Sequence, residues 1–223
     1  MISPPQKAPI PDRSWFESWR KPSEFFRTVR HAEASIPADK ALPQHLRDAY
    51  VIGLLAEIWD DRWRCEVRLV PTSDQFPDAQ LRDNKAPQGF EITIADKRNR
   101  PMFAEHREWA EMAKRGEYPA AADRESRQEQ MREAIPRVCE DKAKHYLGAS
   151  RSSRSVQTNL LIYVNVAPTL VHPGPLLSAE ELIQLTAPWR QNFESIWLLC
   201  GLEAYRTWPA LKVLRPMHDP FGS

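Results

Sequence analysis

Residues 159–166 read NLLIYVNV, a near-continuous apolar run of strand length. Side chains along a β-strand alternate between two faces, so a run of this kind is expected in a strand buried on both. Residues 195–200 (SIWLLC) repeat the pattern. Two such strands call for a sheet with covering layers, and the rest of the chain supplies them. Over 42–64, Ile52, Leu55, Ala56, Trp59 and Trp63 recur at helical spacing and predict a long helix, with Glu57 at the border of its apolar face. Residues 65–70 (CEVRLV) alternate and predict a strand. The segment Phe76-Pro77-Asp78-Ala79-Gln80-Leu81 predicts a second strand over 78–82 after turn chemistry at 71–74, and 89–95 a third with clean period 2. A helix is expected near 105–115 and a long one over 125–147, kinked or restarted at Pro136. Ser178 with Glu181 three residues on is a capping box for a helix to about 192, and 202–208 is an expected edge strand. The order α-β-β-β-α-β-α-β-β is that of a mixed α/β domain.

Composition narrows the function classes. The chain has 223 residues, with 31 Lys and Arg against 30 Asp and Glu, so net charge gives no global drive toward nucleic acid. No apolar run reaches the length of a membrane span, and the start MISPPQKAPIPDRSW lacks the apolar stretch of a secretory signal. Cys65, Cys139 and Cys200 are odd in number and fit neither zinc spacing nor a disulfide framework, so a cytoplasmic setting is expected. The six histidines are scattered. The chain divides into a Pro-rich leader with short amphipathic helices (1–40), a single α/β domain (41–208) and a Pro-rich tail (209–223). The leader carries Trp15, Phe16, Trp19, Phe25 and Phe26, which pack either on the domain's own core or on a partner protein or second copy.

Period 2 decides which polar residues share a face. Phe90, Ile92 and Ile94 point one way and Glu91, Thr93 and Ala95 the other; Asp78 and Gln80 oppose Ala79 and Leu81. A hairpin that buries the apolar sets together brings Asp78 and Glu91 to one side. Paired carboxylates are costly without a shared cation, and hard oxygen ligands suit Mg²⁺ or Mn²⁺.

A helix with Glu57, then Pro77-Asp78, then Glu91-Ile92-Thr93, in αβββαβ order, resembles the PD-(D/E)XK nuclease superfamily, over about 42–166. The resemblance implies a restriction-endonuclease-like core with flanking helices. It also implies Mg²⁺- or Mn²⁺-dependent hydrolysis of phosphodiester bonds, in DNA rather than RNA. Glu57, Asp78 and Glu91 are then the metal ligands, with the Ile92 carbonyl as a further one. The family's catalytic lysine stands two residues after the acid, where this chain has Thr93. Lys97, Lys142 and Lys144 are the substitutes, and Lys142 is the expected one. Some members carry a Gln-x-x-x-Tyr pair on the following helix; Lys142 and Tyr146 have that spacing and share a helix face. Arg151 and Arg154 in the Ser/Arg loop 148–158 are candidates for phosphate contact. The alternative is a catalytically inactive interaction or structural protein on the same scaffold, favoured by Thr93, the neutral charge and the aromatic leader.

Overall fold

The computed structural model describes residues 10–37, 40–73, 77–83, 86–96, 112, 115–117, 124–148, 158–165, 177–201 and 203–215. Most of the expected helix near 105–115, the loop holding Arg151 and Arg154, and Lys97 lie outside the described residues.

The helices are α1 (Arg13–Phe16), α2 (Pro22–Ser35), α3 (Gln44–Trp63), α4 (Arg124–Gly148) and α5 (Ala179–Thr186). The strands are β1 (Glu66–Leu69), β2 (Ala79–Arg82), β3 (Gln88–Ala95), β4 (Thr158–Val164), β5 (Ile196–Cys200), β6 (Glu203–Trp208) and β7 (Lys212–Leu214). All seven form one mixed sheet whose spatial order is the chain order. β1, β2 and β3 make an antiparallel meander. β3–β4 and β4–β5 are parallel, and β5, β6 and β7 close antiparallel. Each parallel join needs a crossover, which α4 and α5 provide.

Helices cover both faces. On one side Phe90, Leu161, Tyr163, Trp197 and Leu199 pack with α1, α2 and α3. On the other Leu160, Ile162, Ile196 and Leu198 pack with α4 and α5. β4 and β5 are therefore buried along their whole length, as their unbroken apolar runs require. The mixed α/β architecture expected from the element order is the one observed. Among the described residues, no helix is long and apolar enough to cross a membrane.

Three local expectations change. Pro136 does not start a new helix: α4 runs through it. The capped helix after Ser178 is α-helical only to Thr186, then tightens to a 3-10 turn over Ala187–Asn192 where Pro188 enters. The capping box itself is present, with Ser178 and Glu181 bonded reciprocally. β6 is not the edge, because β7, from within the Pro-rich tail, pairs outside it. Of the two readings of the leader's aromatics, the chain's own core is the one observed for Phe16 and Phe25, which are fully buried, and Phe26, nearly so.

That docking depends on a close approach. A Cβ on Gly53 of α3 would lie 3.2 Å from both Phe25 Cδ1 and Phe26 Cδ2 on α2. A bulky residue there must push α2 off α3. Gly53→Leu is expected to cost about 1–3 kcal/mol or more through overpacking, read as a lowered urea midpoint. A midpoint equal to wild type would show that the two helices do not touch at this point.

Candidate functional site

Asp78 stands one residue ahead of β2, behind Pro77. β2 pairs Ala79 with Phe90 and Gln80 with Gly89, so one further step along that register sets Asp78 across from Glu91. The Asp78 carbonyl accepts the Val70 N–H at 3.0 Å. Its Oδ2 accepts the Ile92 N–H at 2.8 Å. The side chain is thus fixed at the open end of the hairpin, one-third exposed (33%).

Glu91 points to the opposite face from Phe90 and Ile92, toward α4, and its side chain is only 2% exposed. On α4, Cys139 and Ala143 are buried against the sheet and carry Lys142 over β3. The Lys142 Nζ donates to Asp78 Oδ2 at 3.1 Å and to Glu91 Oε2 at 3.0 Å. One ammonium therefore bridges two carboxylates that come from different strands. Glu91 Oε1 is buried and has no hydrogen-bond partner.

A third acid joins them. Asp48 on α3 is 7% exposed, and its Oδ1 accepts the Gln44 Nε2 amide at 2.8 Å. It lies within electrostatic reach of Asp78, Glu91 and Lys142. Burial pushes its carboxyl up to about 6, with the Asp78 charge adding to the rise. Burial likewise pushes Glu91 up to about 7, again helped by Asp78 and opposed by Lys142. Burial alone would lower Lys142, but the charges of Asp78 and Glu91 outweigh it, and the ammonium is held above its ordinary range. Lys142 bonds two of the three carboxylates, and the third, Asp48, feels Lys142 and Arg47 only through space. The acids thus outnumber the cations at the site, and burial favours the protonated forms of Glu91 and Asp48.

This arrangement bears on a divalent cation. The unpartnered Oε1 of Glu91 and the excess of carboxylate both suit a hard ion. Yet among the described residues no group of three His, Cys, Asp or Glu side chains is disposed to hold a metal as it stands. The fit is thus one of donor chemistry alone.

The sequence-predicted residues fall into three groups. Asp78, Glu91 and Lys142 converge. Glu57 is half-buried roughly 13 Å of helix rise beyond Asp48, and Asp48, on the same helix, interacts with the cluster. Lys144 points elsewhere, 70% exposed and paired with Glu140 at 2.7 Å. Arg151, Arg154 and the side chain of Tyr146 are outside what the structure describes. Asp48 was legible in principle. It precedes Ile52, Leu55, Ala56 and Trp59 by 4, 7, 8 and 11 residues, so it lies on the apolar stripe of α3. A carboxylate on a buried stripe is the signal, and Glu57, at the stripe's border, is not.

No protein-family model, curated protein or solved structure matches the chain.

Proposed function

We propose that the protein is a metal-dependent nuclease-like enzyme that hydrolyses phosphodiester bonds in DNA on a restriction-endonuclease-like αβββαβ core. The observation that carries this reading is the bridging of Asp78 and Glu91 by Lys142. A lysine amine stands against the second acid of the hairpin although the motif position holds Thr93. Asp78, Glu91 and Asp48 would hold the ion, in place of the expected Glu57 set. A bound Mg²⁺ or Mn²⁺ supplies a Lewis acid and lowers the pKa of its water. The chain's own residues do the rest. Lys142 orients the attacking water and offsets the charge that develops on the phosphate, a task Thr93 cannot perform. Ile92, through its N–H bond to Asp78, fixes the carboxylate that positions Lys142.

The test is cleavage of plasmid and single-stranded DNA by the full chain in Mg²⁺ or Mn²⁺. Calorimetry with Mn²⁺ on wild type and Asp78→Ala accompanies it. Metal-dependent cleavage, with firmer Mn²⁺ than Mg²⁺ binding that Asp78→Ala weakens, is the expected result. No cleavage of either substrate, or identical isotherms, would overturn the reading. A second reading has its own support in the same ion pair: with Lys142 already seated between the carboxylates, the site serves as a structural network in an inactive interaction protein.

A further inference from the structure

The arm before α2 meets the edge of the sheet at a single antiparallel bridge, Arg20 with Val67. Arg20 and Val67 exchange both backbone bonds, at 3.0 and 2.9 Å. That register sets Trp19 across from Arg68. β1 pairs Arg68 with Gln80, and β2 pairs Gln80 with Gly89. Trp19, Arg68, Gln80 and Gly89 thus form one row across the sheet. Side chains two apart on a strand share a face, so this face is the one that bears Asp78 and Glu91. The row lies about 7 Å from the carboxylates along the strands, and Arg82 about 7 Å beyond it.

The opposite face of β1 and β2, bearing Val67, Leu69, Ala79 and Leu81, is buried under α3. On the near face Glu66, Arg68, Gln80 and Arg82 are all partly exposed. The guanidinium carbons of Arg68 and Arg82 stand 4.6 and 4.2 Å from the Trp19 ring centroid. The indole therefore holds two cations side by side. Arg82 is paired with Glu66 at 2.7 Å. Arg68 is not neutralised: it donates through Nε and an η nitrogen to the Gln80 amide oxygen, at 2.9 and 2.7 Å, and among the described residues it has no acidic partner. A positive charge held rigid by an aromatic ring and a neutral amide is ordered for something anionic outside the chain.

We infer that the Trp19–Arg68–Arg82 face of β1 and β2 is a docking platform for the sugar-phosphate backbone of single-stranded DNA leading into the Asp78–Glu91–Lys142 site. This rests on the nuclease reading for the identity of the anion. The occupant is a single strand because the two guanidiniums are gathered on one indole, a compact patch that meets one phosphodiester backbone rather than the two of a duplex. The contacts are to phosphate, so binding is independent of base sequence. Arg68 supplies the free charge, Arg82 a charge shared with Glu66, and Trp19 positions both.

The test is fluorescence anisotropy of a labelled oligo-dT with the full chain in EDTA, over 50–200 mM salt as a working range of about fourfold. Arg68→Gln is expected to weaken binding about fivefold or more and to reduce the salt slope by about one. Trp19→Leu should weaken binding while the urea midpoint shows the fold retained. Glu66→Gln should act in the opposite direction and tighten binding, because it frees Arg82; a general loss of structure cannot produce that sign. Wild-type binding to oligo-dT no tighter than to bovine albumin-blocked background, equal affinity of wild type and Arg68→Gln, or a duplex bound more tightly than the single strand would each overturn the platform. The two proposals fail separately. Oligo-dT binding that depends on Arg68, without metal-dependent cleavage, keeps the platform and removes the enzyme; cleavage with Arg68→Gln binding as wild type does the reverse.

Discussion

Lys142→Met is expected to lower metal-dependent DNA cleavage by ~10²-fold or more while leaving the protein folded. The ammonium contributes a positioned charge next to the reacting group, and a methionine of similar length keeps the packing of α4 over β3 but not the charge. The same change has a stability signature of a particular sign. Lys142 is what opposes the rise of Glu91, so its loss leaves Asp78 and Glu91 facing each other without a cation. At pH 8 Glu91 must ionise, and the variant should lose about 3 kcal/mol or more, as breaking a buried pair does. At pH 5 Glu91 binds a proton and most of the loss should vanish. Lys144→Ala is the control. Lys144 is exposed and paired with Glu140, so cleavage and stability should both stay near wild type. If wild type cleaves and Lys142→Met cleaves equally well, Lys142 has no catalytic part. A stability loss independent of pH would show that the ion pair is not what holds Glu91 down.

The second large effect is the pH dependence of the metal-free protein. Glu91 moves from 4.5 in the unfolded chain to about 7 in the fold, so between those values the native state holds a proton that the unfolded state has released. Stability then falls as pH rises through this window and levels off above it. At ~1.4 kcal/mol per unit the full cost is about 3 kcal/mol for this buried carboxyl. Asp48, raised from 3.8 to about 6, adds a loss of the same sign in a window slightly more acid. Lys142 has a linkage of the same sign in a different window: its raised folded value keeps its contribution present through neutrality, lost only in strong alkali. Urea unfolding in EDTA should therefore show higher stability at pH 5 than at pH 8. Glu91→Gln, which cannot ionise, should remove most of the difference. A wild type that gains stability from pH 5 to 8, or a Glu91→Gln variant with the same fall, contradicts this account. A cation that binds the site must displace those protons, so Mn²⁺ binding should strengthen from pH 6 to 8 and release protons into the buffer.

Much of the architecture follows from local pattern. Strands buried on both faces must read as unbroken apolar runs, and residues 159–164 and 196–200 do. Half-buried strands must alternate, and β1 and β2 do. Those two rules alone predict a covered sheet and put Asp78 and Glu91 on one side of it, because period 2 is a property of the backbone. Four-residue spacing likewise marks a helix face, and a capping box marks a helix start at Ser178.

What the local pattern leaves open is which helix residue meets which strand residue. Lys97, Lys142 and Lys144 have the same side chain, and the difference between Lys142, bonded to both acids, and Lys144, in solvent, is where α4 lies over β3. The burial of Phe16 and Phe25 in the chain's own core is of the same kind, the reading that composition favoured while a partner chain stood as the alternative. The short strand β7 has too few residues to show a period, and only its pairing with β6 makes it a strand. Period and capping are fixed by bonds within a few residues. The site is made by side chains far apart in the chain, 51 residues in the case of Lys142 and Glu91. Contacts of that separation are decided by the packing of whole elements, which only the tertiary structure contains.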